Sequence, residues 1–285
     1  MLEHWHGTAR LIEMALAEDE ITSDHTSELL PSDLASEALM MPKSPGVLAG
    51  VDVALAVFRA VDPSLETARL VSDGTRVEKG SYVAAIRGPM HSILRAERTA
   101  LNFVQRMSGI ATATRALVDA VADMPAVILD TRKTLPGWRL LDKYAVRMGG
   151  GRNHRMSTAD GILIKDNHVA AAATHGESLA ALVRRARRDA PHTIRVEVEC
   201  DTLEQVAEAL EAGAELILFD NMTPAQMAEG VAMCRGKALT EASGGITQDT
   251  VREIAAAGVD LISSGALTHS VKSLDISLEV KVQTA

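Results

Sequence analysis

Three short polar blocks carry the residues of this chain best suited to chemistry: Asp130-Thr131-Arg132-Lys133-Thr134-Leu135-Pro136-Gly137, Asn153-His154-Arg155, and Lys165-Asp166-Asn167-His168. They bring Arg132, Lys133, His154, Arg155 and Lys165 close together in a chain whose net charge is -9. An arginine fork grips a carboxylate or phosphate through two parallel hydrogen bonds, and a lysine supplies a point charge. An acidic chain that collects such groups beside short apolar runs is built to hold a small, highly charged anion. The run Gly149-Gly150-Gly151 just before Asn153 is expected to let the backbone turn sharply and approach that ligand. It lacks the Gly-Lys-Ser/Thr ending of a nucleoside-triphosphate loop.

Carboxylates and glycines complete the candidate set. Glu199 and Asp220 stand at the ends of two consecutive β-prone runs, with Glu197 two residues before Glu199 on the same face. Facing carboxylates of this kind hold a hydrated Mg²⁺, accept ribose hydroxyls or stabilise a cationic transition state. Ser243-Gly244-Gly245 and Ser264-Gly265-Ala266 follow the last two β-prone runs, where late loops bind phosphate through backbone N–H groups.

The elements that must position these residues alternate. β-prone runs read as 127–129, 162–164, 194–198, 216–219, 238–240 and 261–263. Between them, 178–189, 203–211, 224–234 and 247–257 carry apolar residues at helical spacing, with Gly213 and Gly258 as C-cap glycines. Alternating β and α at this spacing predicts parallel strands joined by crossover helices. Asp130, Lys165, Glu199, Asp220, Glu241 and Ser264 would then ring the C-terminal mouth of an α/β barrel. Residues 1–108 read instead as an α+β domain, with helices over 10–17 and 92–107 and a turn-rich segment at Asp73 to Gly80. The barrel is expected over 109–273. The alternating run from Leu274 to Val282 predicts an edge strand, so that 274–285 returns to the first domain.

Composition narrows the partners. Apolar residues make up 47% of the 285 residues and aromatics only 2%, so the core must come from aliphatic side chains between regular elements. The acidic balance, with a pI near 5.5, argues against nucleic acid or an anionic membrane as partner. No basic leader precedes an apolar run and no stretch of about 18 apolar residues occurs, which predicts a cytoplasmic protein. Cys200 and Cys234 lack metal-ligand spacing and read as reduced packing residues, while His4 and His6 receive no function.

The segments 101–112, 130–137, 143–147, 153–155, 163–168, 220–222, 243–246 and 265–270 closely resemble, in the same order, the quinolinate phosphoribosyltransferase family. The resemblance implies an α/β fold with an N-terminal α/β sandwich and an incomplete, seven-stranded α/β barrel of the type II phosphoribosyltransferase kind. It also implies a homodimer with shared sites and a Mg²⁺-dependent pentosyl transfer in NAD biosynthesis. Quinolinate and phosphoribosyl pyrophosphate would give nicotinate mononucleotide, pyrophosphate and CO₂. By motif position Arg132, His154, Arg155 and Lys165 would bind the quinolinate carboxylates, with Arg98 reaching in from the partner chain. Lys133 would serve the phosphoribosyl side, Glu199 and Asp220 the ribose and Mg²⁺, and Ser243, Gly244, Gly245, Ser264 and Gly265 the phosphates. Two departures, Met156-Ser157-Thr158-Ala159 and Trp138, are expected to shift loop packing without removing a charged ligand. Competing readings are a molybdenum-transport-associated relative of uncertain substrate, a Schiff-base aldolase using Lys165, and a metabolite sensor without turnover.

Overall fold

The computed structural model describes residues 6–31 and 34–282, which leaves His4 outside. In chain order the elements are α1 (His6–Glu18), β1 (Ala35–Pro42), β2 (Gly46–Val47), α2 (Val51–Val61), β3 (Glu66–Arg69), β4 (Arg76–Val77), β5 (Ala84–Pro89) and α3 (Met90–Ala120). There follow β6 (Val127–Leu129), α4 (Arg139–Met148), β7 (Ile162–Ile164), α5 (Asp166–Ala173), α6 (Leu179–Asp189), β8 (Val196–Cys200) and α7 (Leu203–Glu211). The chain closes with β9 (Leu216–Asp220), α8 (Pro224–Cys234), β10 (Leu239–Ser243), α9 (Val251–Ala256), β11 (Leu261–Ser263), α10 (Ala266–His269) and β12 (Ile276–Val282). Packing divides it into one unit of Met1–Arg115, Thr134–Gly150 and Leu267–Ala285, and a second of Ala116–Lys133 and Gly151–Ala266. These limits differ from a linear boundary at 108/109, because α3 runs through that point and 134–150 packs with the first unit.

In the first unit an antiparallel sheet takes the order β12-β1-β5-β3, with Met40 opposite Leu278 on one side and Ala84 on the other. β1 is rich in helix formers yet is extended, because Ala38 and Met40 on one face are wholly buried. α2 contributes Val53, Ala54, Val57 and Phe58 to the core, and Asp73 accepts the N–H groups of Gly50 and Val51 at its N-terminus at 2.8 and 3.2 Å. α3 does not end at Met107. The Ser108 hydroxyl is satisfied at Ala49, and the bare Gly109 lets the backbone at Lys272 and Ser273 cross against the helix; a Cβ there would stand 2.9 Å from Ser273 Cα. Trp138 stacks on Phe103 with centroids 4.7 Å apart, so this departure from the family pattern packs onto α3.

The second unit is a parallel sheet in the order β6-β11-β10-β9-β8-β7. A single bridge from Leu129 to Arg152 adds a seventh strand position beside β6, and among the described residues nothing pairs that segment with β7. The result is an open six-stranded parallel sheet with one bridge beside it, consistent with the incomplete α/β barrel that the resemblance implies. Local bonding shifts some limits. Ile194 N–H bonds the Pro191 carbonyl, which delays β8 to Val196, and reciprocal bonds between Thr247 and Thr250 make a turn where the helix was expected to begin. α7 and α8 open with capping boxes, Thr202 with Gln205 and Thr223 with Gln226. Cys200 and Cys234 are buried free thiols, and burial pushes them up to about 12 and about 11.

The glycine run has a packing role. A Cβ on Gly149 would lie 2.6 Å from the Ala111 carbonyl oxygen and 2.5 Å from Thr114 Cβ, both on α3, and Gly150 at φ 93° gives room to the Arg115 guanidinium. Backbone approach to a ligand is therefore not what Gly149 and Gly150 supply. Gly149→Ala should lower stability by about 1–3 kcal/mol, read as a lower urea midpoint with unchanged slope. An unshifted midpoint would mean the two elements have room to spare.

Candidate active site

The strand register builds the site. Partners across a parallel sheet point the same way, and alternate residues along a strand point to opposite faces. Val196, Val198, Cys200, Ile217, Phe219, Ala242 and Ile262 occupy one face and are buried at 1% exposure or less. The other face takes Glu197 and Glu199 from β8, Leu218 and Asp220 from β9, Glu241 and Ser243 from β10, and Ser263 from β11. The alternation in Val-Glu-Val-Glu-Cys thus puts aliphatic residues towards the helices and carboxylates inside the barrel.

That inner face lines a cavity of about 400 Å³, with Thr131, Arg132 and Lys133 after β6, His154, Arg155, and Leu163 and Lys165 from β7 and its end. Eight sequence candidates therefore meet: Arg132, Lys133, His154, Arg155, Lys165, Glu199, Asp220 and Ser243. Arg98, Gly244, Gly245, Ser264 and Gly265 are not among the lining residues. Ser264 is buried and its N–H bonds the Leu129 carbonyl at 3.0 Å. Glu241 and Ser263 line the cavity but were not singled out as ligands; the period-two alternation in Leu-Thr-Glu-Ala-Ser and Leu-Ile-Ser was the available signal.

Each charged group has a specific setting. Lys165, at the N-terminus of α5, forms an ion pair with Glu199 on the adjoining strand, and its backbone N–H donates to His168 Nδ1 at 3.0 Å. Asp220 is held above the usual carboxylate range by burial and then by the negative charge of Glu199 and Asp201, with Lys165 and Lys133 pulling the other way. Asn221 Nδ2 donates to Asp220 Oδ2 at 2.9 Å from a left-handed backbone at φ 54°. Asp130, wholly buried after β6, accepts from Asn153 Nδ2 at 2.6 Å and from the His154 N–H at 2.8 Å.

His154 is committed at both ring nitrogens. Nε2 lies 3.3 Å from Glu197 Oε2 and 3.5 Å from Glu241 Oε2, and Nδ1 accepts the Arg155 N–H at 2.7 Å. Burial opposes a charge on the ring, but the hydrogen bonds and charges of Glu197 and Glu241 outweigh it and raise the ring above its ordinary value. Glu197 is raised in turn, first by burial and also by Glu241, with His154 and Arg155 opposing. For Arg155, burial works against the charge, Glu197 and Glu241 favour it, and Arg132 repels it. Its Nη1 donates to the Gly161 carbonyl at 2.8 Å. The departing run 156–159 forms a turn in which Asp160 accepts the N–H groups of Met156 and Ser157 at 2.6 and 3.0 Å.

Four cations, Arg132, Lys133, Arg155 and Lys165, thus face three carboxylates, Glu199, Asp220 and Glu241, in one cavity of an acidic chain. Such a site takes a substrate with more than one negative charge at its cationic side and cationic character at the other.

Comparison with known proteins agrees. Residues 21–108 match the family described as quinolinate phosphoribosyl transferase, N-terminal domain, and residues 110–279 match the corresponding C-terminal domain. The chain belongs to the quinolinate phosphoribosyltransferase family. A probable nicotinate-nucleotide pyrophosphorylase [carboxylating] of Bacillus subtilis is 43% identical over 271 residues, 95% of this chain and 92% of that one. A chloroplastic nicotinate-nucleotide pyrophosphorylase [carboxylating] of Arabidopsis thaliana is 44% identical over 295 residues, covering 96% of this chain and 83% of that one. Among solved structures, the nicotinate-nucleotide pyrophosphorylase of Francisella tularensis superposes with a TM-score of 0.90 at 38% identity, covering 96% of both chains.

Gly244 bears on this family site through Asn221. It adopts φ 88°, and a Cβ there would collide with the Asn221 side-chain oxygen. Gly244→Ala should therefore displace Asn221 from Asp220 and cost more than about 1 kcal/mol of stability, since a β-carbon also strains this backbone. A variant with unchanged urea midpoint and unchanged turnover would show that the Gly244–Asn221 contact is not needed to hold Asp220.

Proposed function

We propose that the cavity of the second unit joins quinolinate to phosphoribosyl pyrophosphate, yielding nicotinate mononucleotide, pyrophosphate and CO₂. The observation that carries the reading is the convergence of four cations and three carboxylates in one barrel interior. Arg132 and Arg155 line the same cavity, and Glu199 and Asp220 stand on adjoining strands. The paired arginines suit the two adjacent carboxylates of quinolinate, with Lys165 adding a third cation. Lys133 serves the departing pyrophosphate. Glu199 and Asp220 face the ribose, where their charge stabilises the anomeric carbon as it acquires oxocarbenium character and the ring nitrogen attacks it. When the C2–carboxylate bond then breaks, its electron pair stays on C2, stabilised by the positive charge of the adjoining pyridinium nitrogen, CO₂ leaves and a proton adds to that pair at C2. No separate electron-sink cofactor is needed.

Mg²⁺ fits the same carboxylates. Glu199 and Asp220 are hard oxygen donors, and the elevation of Asp220 by its anionic neighbours is the like-charge pressure that a divalent cation relieves. Bound there, Mg²⁺ would neutralise charge on the pyrophosphate. The Schiff-base reading fares worse, since Lys165 is engaged by Glu199 in an ion pair rather than standing free in an apolar pocket. Among the described residues no helix is long and apolar enough to cross a membrane.

The direct test mixes the purified chain with quinolinate, phosphoribosyl pyrophosphate and Mg²⁺ and follows nicotinate mononucleotide and CO₂ in equal amounts. Absence of both products would overturn the reading. The shared-site homodimer has its own test. Arg98 stands exposed on α3 between buried Ala96 and Ala100, as a residue reaching into a second copy of the chain would have to be. Arg98→Ala and Glu199→Ala should each be inactive, but after verified subunit exchange at equal amounts about a quarter of all sites should regain activity, as a closed two-fold dimer requires. Mixed dimers no more active than the separate variants would remove Arg98 from the partner's site.

A further inference from the structure

The segment Asn153–Arg155 presents cations to the cavity yet has little support from the sheet, where the Leu129–Arg152 bridge is its nearest ladder contact. Side chains supply the support instead. Asp130 holds it from the end of β6, through Asn153 Nδ2 and the His154 N–H. From across the barrel, Glu197 on β8 and Glu241 on β10 meet His154 Nε2, although β9 separates those two strands in the sheet. The other ring nitrogen accepts the N–H of Arg155, so the orientation of the ring and the path of the backbone at Arg155 are fixed together.

His154, Glu197 and Glu241 offer ligand atoms within 4.8 Å of one another, a spacing that a metal ion also accepts. Bonding at the ring decides against a metal. Because Nδ1 accepts a hydrogen from Arg155, Nε2 bears the ring's hydrogen and has no lone pair for a cation. An N–H directed at two buried carboxylates satisfies the site.

We propose that Glu197 and Glu241 are positioning residues for quinolinate: they hold the His154 ring across the barrel, and the ring in turn fixes Arg155 for the substrate carboxylate. This rests on the quinolinate reading above. Both carboxylates are almost wholly buried, at 5% and 1% exposure. Two buried carboxylates side by side are costly unless a donor and a cation oppose them: the His154 Nε2 hydrogen faces both, and both favour the charge on Arg155.

The test is a double-mutant cycle on the full-length enzyme, with Michaelis constants for both substrates. Glu197→Leu should raise the quinolinate KM at least about tenfold and leave the phosphoribosyl pyrophosphate KM within about twofold, since the lost geometry concerns one substrate. Glu197→Gln, whose amide oxygen still accepts the Nε2 hydrogen, should stay within about threefold of wild type. In a His154→Phe background, Glu197→Leu should add less than about twofold, because residues acting through one another are not additive. Additive effects, or equal increases for both substrates, would overturn the proposal while wild-type turnover upholds the quinolinate reading. Should Glu197→Leu not fold, the comparison passes to Glu241→Gln and Glu241→Ala. There an unchanged quinolinate KM in both would overturn it, and a rise confined to quinolinate in Glu241→Ala would support it. A wild-type chain without quinolinate turnover would overturn the underlying reading itself.

Discussion

Everything in the barrel interior depends on keeping four carboxylates, Glu197, Glu199, Asp220 and Glu241, on the inner face of one sheet. Left alone, such a cluster would protonate or force the strands apart, because burial and like charge both disfavour ionisation. The structure answers each neighbourhood: Lys165 pairs with Glu199, the His154 Nε2 hydrogen and the Arg155 cation face Glu197 and Glu241, and Lys165 with Lys133 acts on Asp220. A site balanced this finely is already organised for a substrate pair in which one end is strongly anionic and the other becomes cationic in the transition state. Electrostatic preorganisation of that kind is where enzymes obtain much of their rate.

The cations arrive by different routes, which ties the fold to the chemistry. Arg132 and Lys133 follow β6 directly, whereas Lys165 is set by the N-terminus of α5, where the His168 ring fixes its backbone. His154 and Arg155 come from a segment that, among the described residues, has a single bridge to its neighbour, at the open edge of the sheet. An open seam gives up ladder hydrogen bonds, and the clamp from Asp130, Glu197 and Glu241 restores order through side chains.

Much of this was legible because barrel strands carry a strong local signal. Val-Glu-Val-Glu-Cys and Leu-Ile-Leu-Phe-Asp alternate or run apolar between capping boxes, and the motif blocks sit at their ends. The first unit was harder to read. β1, Ala-Ser-Glu-Ala-Leu-Met-Met-Pro, is composed largely of helix formers and becomes a strand through pairing with β5 and β12, partners about 45 and 240 residues distant in the chain. Gly109 and Gly149 were ambiguous for a related reason. A glycine that makes room for another element and one that makes room for a ligand look alike until the neighbour is known. The commitment of His154 to Glu197 and Glu241 was equally hidden, since its three members lie on separate elements and no spacing in the sequence links them.

The central claim is that the paired cations of the barrel interior are arranged for two adjacent carboxylates. The ratio of kcat/KM for quinolinate to that for nicotinate, which lacks one of them, tests it most directly. Leaving cations unpaired once bound substrate has displaced their water costs several kcal/mol, so the account predicts a ratio of at least about 100 in favour of quinolinate. A ratio near one would contradict it.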